Sequence, residues 1–162
     1  TVTARFSNIG SKPALKPENI EQVIRESISY MQLRISKKVA MTVSSTLPPE
    51  TISMLNKPLF EWVIENLCKN AVDAMDGKGE IFVTLKDVPE ALYIDIRDTG
   101  KGIAKTKFKT VFEPGFTTKQ RGWGLGLSLC KRIIENYHEG KIFVQDSEVN
   151  KGTTFRIELP RG

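Results

Sequence analysis

Long apolar runs are missing from this 162-residue chain. None approaches the eighteen or so residues that a membrane-spanning helix needs, so no such span is encoded. Thr1 does not begin a signal-peptide pattern, and without an initiator Met the chain is expected to be a piece of a longer protein. Cysteine is scarce: Cys68 and Cys130 each stand among apolar neighbours in helical patterns. Packed thiols are therefore expected rather than a disulfide or a metal site, in a reducing, cytoplasmic setting. His138 is the only histidine. Charge of one sign dominates only slightly: the net +5 and pI near 9.2 permit an anionic partner, but the basic residues are scattered as on a solvated surface. Neither a nucleic-acid partner nor direct membrane contact is expected. No internal repeat or low-complexity tract is present. What remains, 40% hydrophobic and 27% charged residues, suits a soluble globular domain with one core.

Residues 1–16 show no clear period and contain a Gly10, Ser11, Pro13 breaker, so they read as a connector. Ile20, Val23, Ile24, Ile28, Met31 and Ile35 then recur at helical spacing, predicting an amphipathic helix over about 18–36. "VAMTV" at 39–43 alternates as a short strand would, and Pro48 and Pro49 end that unit. Phe60, Val63, Ile64, Leu67, Ala71 and Ala74 mark a second helix over about 56–75, closed by Gly77 and Gly79. "EIFVTL" and "LYIDIRD" read as two strands joined by "KDVPEA". In the second, Leu92, Ile94 and Ile96 face one way and Tyr93, Asp95 and Arg97 the other. A loop-rich stretch leads to a third helix from Leu127, and "KIFVQ" and "TTFRIEL" close the chain as another strand pair. The fold class this predicts is α+β: a two-layer sandwich with helices on one face of a mixed, mainly antiparallel sheet.

Three stretches carry chemistry. Gly122, Gly124 and Gly126 precede a helix, where flexible backbone costs roughly 0.5–1 kcal/mol per residue if helical. A phosphate approaching the helix N-terminus would offset that cost; an ordinary loop is the alternative. Asn66, Asn70 and Asp73, spaced i, i+4, i+7, share a helix face about a quarter turn from the apolar stripe. A solvated face would more naturally carry Glu and Lys, so a ligand-facing role is favoured. An Asn amide oxygen suits Mg²⁺ whose other positions go to phosphate and water. "DTGKGI", Asp98 to Ile103, follows a strand: its carboxylate can accept from an exocyclic amine such as adenine's, while Gly100 and Gly102 leave room for a flat base. By itself it reads as an ordinary Asp-Gly turn in preference to a base site.

In series, "ENLCKNAVDAM", "DTGKGI", "VFEPGFTTK", "GWGLGL" and "GTTF" resemble the asparagine, first glycine, phenylalanine, second glycine and last boxes of sensor histidine kinase catalytic domains. That group belongs to the superfamily of gyrase, MutL and the heat-shock chaperone ATPases, with the Bergerat ATP-binding fold. The likeness spans about residues 15–160. It implies a 17–162 catalytic domain that binds Mg·ATP, preceded at 1–16 by a linker and the remnant of a dimerisation and phosphoacceptor hairpin. It implies a transferase incomplete by itself: the γ-phosphoryl goes to a histidine on that absent domain, then to a response regulator receiver domain. The parent is expected to be a homodimer with this domain cytoplasmic, and it can be anchored in the inner or plasma membrane. A protein serine kinase of the same superfamily and a non-catalytic ATP-sensing module are the alternatives.

Residue by residue, the resemblance implies that Asn70 coordinates Mg²⁺ and that Asn66 makes a second metal or phosphate contact, with Asp73 on the same face. Asp98 holds the adenine amine, with Gly100, Gly102 and Ile103 beneath the ring and Thr153 nearby through water. Segment 109–123 forms a lid with Phe112, Thr117 and Thr118, whose Lys119 and Arg121 reach phosphates. Gly122, Gly124, Leu125, Gly126 and Leu127 line the phosphate seat. The chaperone branch carries a glutamate where Asn66 stands. An amide cannot act as a general base, which favours phosphoryl transfer over hydrolysis. His138 lies two residues before Gly140 at a helix end, so a packing role is expected of it rather than phosphoacceptance. Trp62 is expected in the core, and Trp123 is left unassigned.

Overall fold

The computed structural model describes residues 13–114 and 126–161. A short strand, β1 (Lys16–Asn19), leads directly into helix α1 (Ile20–Gln32). The Asn19 side chain makes the switch, its oxygen accepting the Gln22 N–H at 3.0 Å as an N-cap. The helix therefore begins later and ends earlier than the predicted 18–36. Its buried stripe stops at Met31, Leu33 is 83% exposed, and the Arg34 and Ile35 N–H groups both turn back to the Met31 carbonyl.

Strands β2 (Val39–Ser45) and β3 (Ile52–Leu55) follow, and β3 pairs antiparallel with β1, Lys16 opposite Leu55. Helix α2 (Lys57–Ala74) buries the expected Phe60, Val63, Ile64, Leu67 and Ala71 together with Leu59 and Cys68, while Ala74 at its end is half-buried. Asn56 caps it by accepting from the Leu59 N–H at 3.2 Å, and Gly77 closes it with φ +78 and its N–H on the Val72 carbonyl.

The main sheet adds β4 (Gly79–Asp87), β5 (Leu92–Asp98), β6 (Lys141–Glu148) and β7 (Gly152–Leu159) in the order β2-β4-β5-β7-β6. Only β2 and β4 run parallel, so the sheet is mixed and mainly antiparallel as predicted. Ile81, Val83, Leu85, Ile94, Ile96, Phe155 and Ile157 face the helices and join one core with α1 and α2. On the other face, Arg156 makes a bidentate pair with Asp95 at 2.8 and 2.9 Å. Helix α3 (Gly126–Arg132) widens into a π-turn over Ile133–Tyr137 and buries Cys130, Ile133 and Ile134 against this core. No described helix is long and apolar enough to cross a membrane.

Candidate nucleotide site

Asp98 ends β5 on the helix-facing side of the sheet, in register with Ile81 on one side and Thr153 on the other. It is only 3% exposed. Its Oδ1 accepts the Gly100 N–H at 2.8 Å, and the Thr153 N–H also donates to the carboxylate. Burial pushes the Asp98 carboxyl up from the usual carboxylate range, and these two N–H bonds oppose it. The loop that follows is bolted down twice. The Lys101 N–H donates to the Ala74 carbonyl at the end of α2 at 2.9 Å, and the Lys101 carbonyl accepts from Asn150 at 2.7 Å. Gly102 has φ +78, and a Cβ there would run into the Glu148 carbonyl, so the loop requires glycine twice over. Ile103 is half-buried, its N–H held by Ser147 Oγ at 2.7 Å.

The second group gathers where α2 meets α3. A Cβ on Gly126 would lie 2.8 Å from Asn66 Nδ2, 3.0 Å from Oδ1 and 3.2 Å from the amide carbon, so the polar end of the amide abuts the bare backbone that starts α3. Asn66 Nδ2 donates to Cys130 Sγ at 3.5 Å. Cys130 is fully buried and, like Cys68, is a free thiol that burial pushes up to about 12. Both are packed thiols, as expected. Asn70 is half-buried and Asp73 exposed, one and two turns further along α2 toward Ala74.

The structure thus joins Asp98, Gly100, Gly102, Ile103 and Thr153 at one end of α2, and Asn66 with Gly126 near its middle. Phe112 supports the loop from within: it is 6% exposed, edge-on to Phe155 at 6.0 Å, with the Lys131 ammonium 5.9 Å from its ring. Leu127 is half-buried against the core. Thr117, Thr118, Lys119, Arg121, Gly122, Gly124 and Leu125, with Trp123 and much of the expected lid, lie outside the described residues, as does most of the 1–16 segment. Trp62 packs on the core, and His138, 2% exposed, is a packing residue. Sequence reasoning missed Ser147, which sits at the centre of the Ile103 and Thr153 contacts; the polar run after Val144 carries no signal of it. A wide groove of about 800 Å³ lies elsewhere, between α1 and the end of β2, and contains none of the predicted residues. Its charged lining is exposed or half-exposed and partly paired with itself, Arg25 to Glu21 at 2.9 Å, so it lacks the buried convergent polar groups of the Asp98 end.

The family described as Histidine kinase-, DNA gyrase B-, and HSP90-like ATPase matches residues 56–162, from the α2 cap through β7. This chain belongs to that family. Its fold is that of the catalytic domain of the histidine kinase ThkA in a nucleotide-free form. The TM-score is 0.80 and the identity 29%, over 91% of this chain and 95% of that one. ThkA has also been solved in complex with the response regulator protein TrrA. Among curated proteins, Sporulation kinase E of Bacillus subtilis (strain 168) is 35% identical, over 88% of this chain and 19% of its own length. The adaptive-response sensory kinase SasA of Synechocystis is 33% identical, over 90% of this chain and 39% of its own. The chain therefore spans well under half the length of these relatives. It is an ATP-binding domain of histidine-kinase type.

Proposed function

We propose that this domain holds Mg·ATP so that the γ-phosphoryl group passes to a histidine on a separate dimerisation domain of the same parent, and from there to a response regulator receiver domain. The observation that carries the reading is the buried, N–H-supported Asp98 carboxylate at a strand end, tied through Lys101 to the helix that bears Asn66 and Asn70. A carboxylate so placed accepts from the adenine amine, with Gly100, Gly102 and Ile103 against the ring and Thr153 beside it.

Among the described residues no three His, Cys, Asp or Glu side chains cluster to cage a metal. The neutral amides on α2 fit a Mg²⁺ that takes most of its ligands from phosphates and water, with Asn70 as the protein ligand and Asn66 beside it. When bound, the ion neutralises phosphate charge. The chain's own residues bind and orient. Asn66, its amide end against Gly126, brings a polar group to the start of α3, where backbone N–H groups favour anions. Lys119 and Arg121 add charge, and Gly122, Gly124 and Gly126 give phosphate its seat. None of these residues attacks covalently; the domain works by positioning and charge. Position 66 carries an amide, which takes no proton, so water is left unactivated there and transfer to a protein acceptor is favoured over hydrolysis.

The test mixes the purified chain, Mg²⁺, γ-labelled ATP and a separately made dimerisation domain of the parent. Acid-labile, base-stable label on that domain is the expected result. Tight ATP binding with no label transferred would replace the kinase reading with that of an ATP-sensing module.

A further inference from the structure

Ser147 is buried beside the Asp98 end of the site, 8% exposed, and β6 puts it there by a register shift. Ile142 and Val144 face the core at alternate positions, and strict alternation would turn Ser147 outward. The irregularity between Val144 and Asp146 inserts one extra residue, so Ser147 faces inward opposite Thr153. Its oxygen then has three partners: the Gly152 carbonyl at 2.9 Å, the Ile103 N–H at 2.7 Å and the Thr153 hydroxyl at 2.8 Å.

A serine hydroxyl has one proton and two lone pairs. The Gly152 carbonyl can only accept, so it takes the proton. The Ile103 N–H can only donate, so it takes one lone pair. The Thr153 hydroxyl therefore donates into the other, and its own proton is committed. Thr153 is 3% exposed, so no bulk water competes for that proton. Its Oγ1 is left as an acceptor, on the same face of the sheet as its register partner Asp98, which when ionised is also acceptor-only.

We propose that Ser147 is a specificity-determining residue: by fixing the Thr153 hydroxyl as an acceptor beside Asp98, it makes this end of the site take a 6-amino purine and reject a 6-oxo purine. A free threonine hydroxyl would rotate and donate to a 6-oxo oxygen, directly or through one water. A site whose polar groups are all acceptors gives that oxygen no partner. The proposal rests on the adenine reading of the Asp98 end and adds to it the group that sets hydrogen-bond polarity.

The test compares the affinities of ATP and ITP, which differ at position 6 of the base, for the chain and three variants. Ser147→Ala releases the Thr153 proton and should lower the ATP:ITP affinity ratio about tenfold, chiefly by strengthening ITP. Thr153→Val keeps the Ser147 bonds to Gly152 and Ile103 but removes the acceptor, so ATP should weaken with no gain for ITP. Equal losses of ATP and ITP in Ser147→Ala would overturn the proposal and leave Ser147 a structural hub. If Ser147→Ala does not fold, Thr153→Val decides: unweakened ATP binding, or a gain for ITP, overturns it. Asp98→Asn separates the two levels. If that variant leaves the ratio unmoved, the adenine reading itself fails; if it moves the ratio while Ser147→Ala does not, only the role of Ser147 falls.

Discussion

Replacing His138 by Phe tests how the two site helices are held together. The Nδ1 of His138 lies 2.9 Å from the Ile133 carbonyl, which can only accept, so Nδ1 carries the proton. Nε2 is then free to accept the Asn56 N–H at 3.0 Å, and Asn56 is the cap of α2. One neutral imidazole thus ties the end of α3 to the start of α2. Phe preserves a ring beside Phe60, 5.9 Å away in the wild type, but it can neither donate nor accept. The stranded Asn56 N–H costs about 1–3 kcal/mol, and the Ile133 carbonyl adds less because it has a second lone pair. At this chain length each kcal/mol moves Tm by about 2–4 °C, so a loss near 2 kcal/mol would appear as a fall of about 4–8 °C at pH 7.5. Burial holds the His138 ring below its ordinary 6.5, and the Ile133 hydrogen bond opposes that only in part. Below about pH 6.5 the unfolded chain therefore binds a proton that the folded chain refuses, so this contribution is full above pH 6.5 and shrinks as the pH falls. His138 is the only histidine, and the Phe variant lacks it. The Tm gap between wild type and variant should be widest at pH 7.5 and narrower at pH 5.5 by thermal denaturation. Equal Tm values at pH 7.5, or a gap that ignores pH, would refute the clamp.

Three further outcomes are expected. Burial raises the Asp98 pKa, so ionising it in the fold costs stability as the pH rises. Asp98→Asn should therefore keep or raise Tm at pH 7 while weakening ATP by about tenfold or more and leaving free triphosphate little changed; equal loss of both ligands by calorimetry would refute the assignment. Gly126→Ala gains up to about 1 kcal/mol of helix propensity but forces the Asn66 amide aside, at about 1–3 kcal/mol of crowding. ATP affinity should fall more than stability does, and normal ATP binding would count against the seat. Both cysteines, with thiols pushed up to about 12, should resist iodoacetamide at pH 8 in the native chain and react on unfolding; fast native labelling would contradict their packing.

The long helices and the central strands were legible because burial writes itself into spacing. The α2 stripe and the alternation of β5 follow the helical and strand periods, and Asp98 and the Asn66 face stand out as polar groups where those periods expect something else. Strands β1 and β3 were not legible. "KPEN" pairs "ISML" over four residues, with Pro17 in a position of poor strand propensity, and the pairing is fixed by a contact some forty residues away in sequence. Nor was the clamp at His138 readable beyond its packing, since its partners Asn56 and Ile133 come from separate elements. Ser147 escaped notice because one extra residue in β6 reverses which face it occupies, and nothing in "VQDSEV" signals that reversal.

The Lys101 tie to Ala74 and the contact of Gly126 with Asn66 make one stretch of α2 the spacer between the two ends of the site. Inserting or deleting a single residue there would shift one end by about 1.5 Å and swing it about 100° around the axis. On the proposed reading, length in that stretch is set by the one nucleotide that spans both ends, whereas the Val88–Ala91 turn at the opposite rim of the sheet, closed by its own pair of backbone hydrogen bonds, touches neither end.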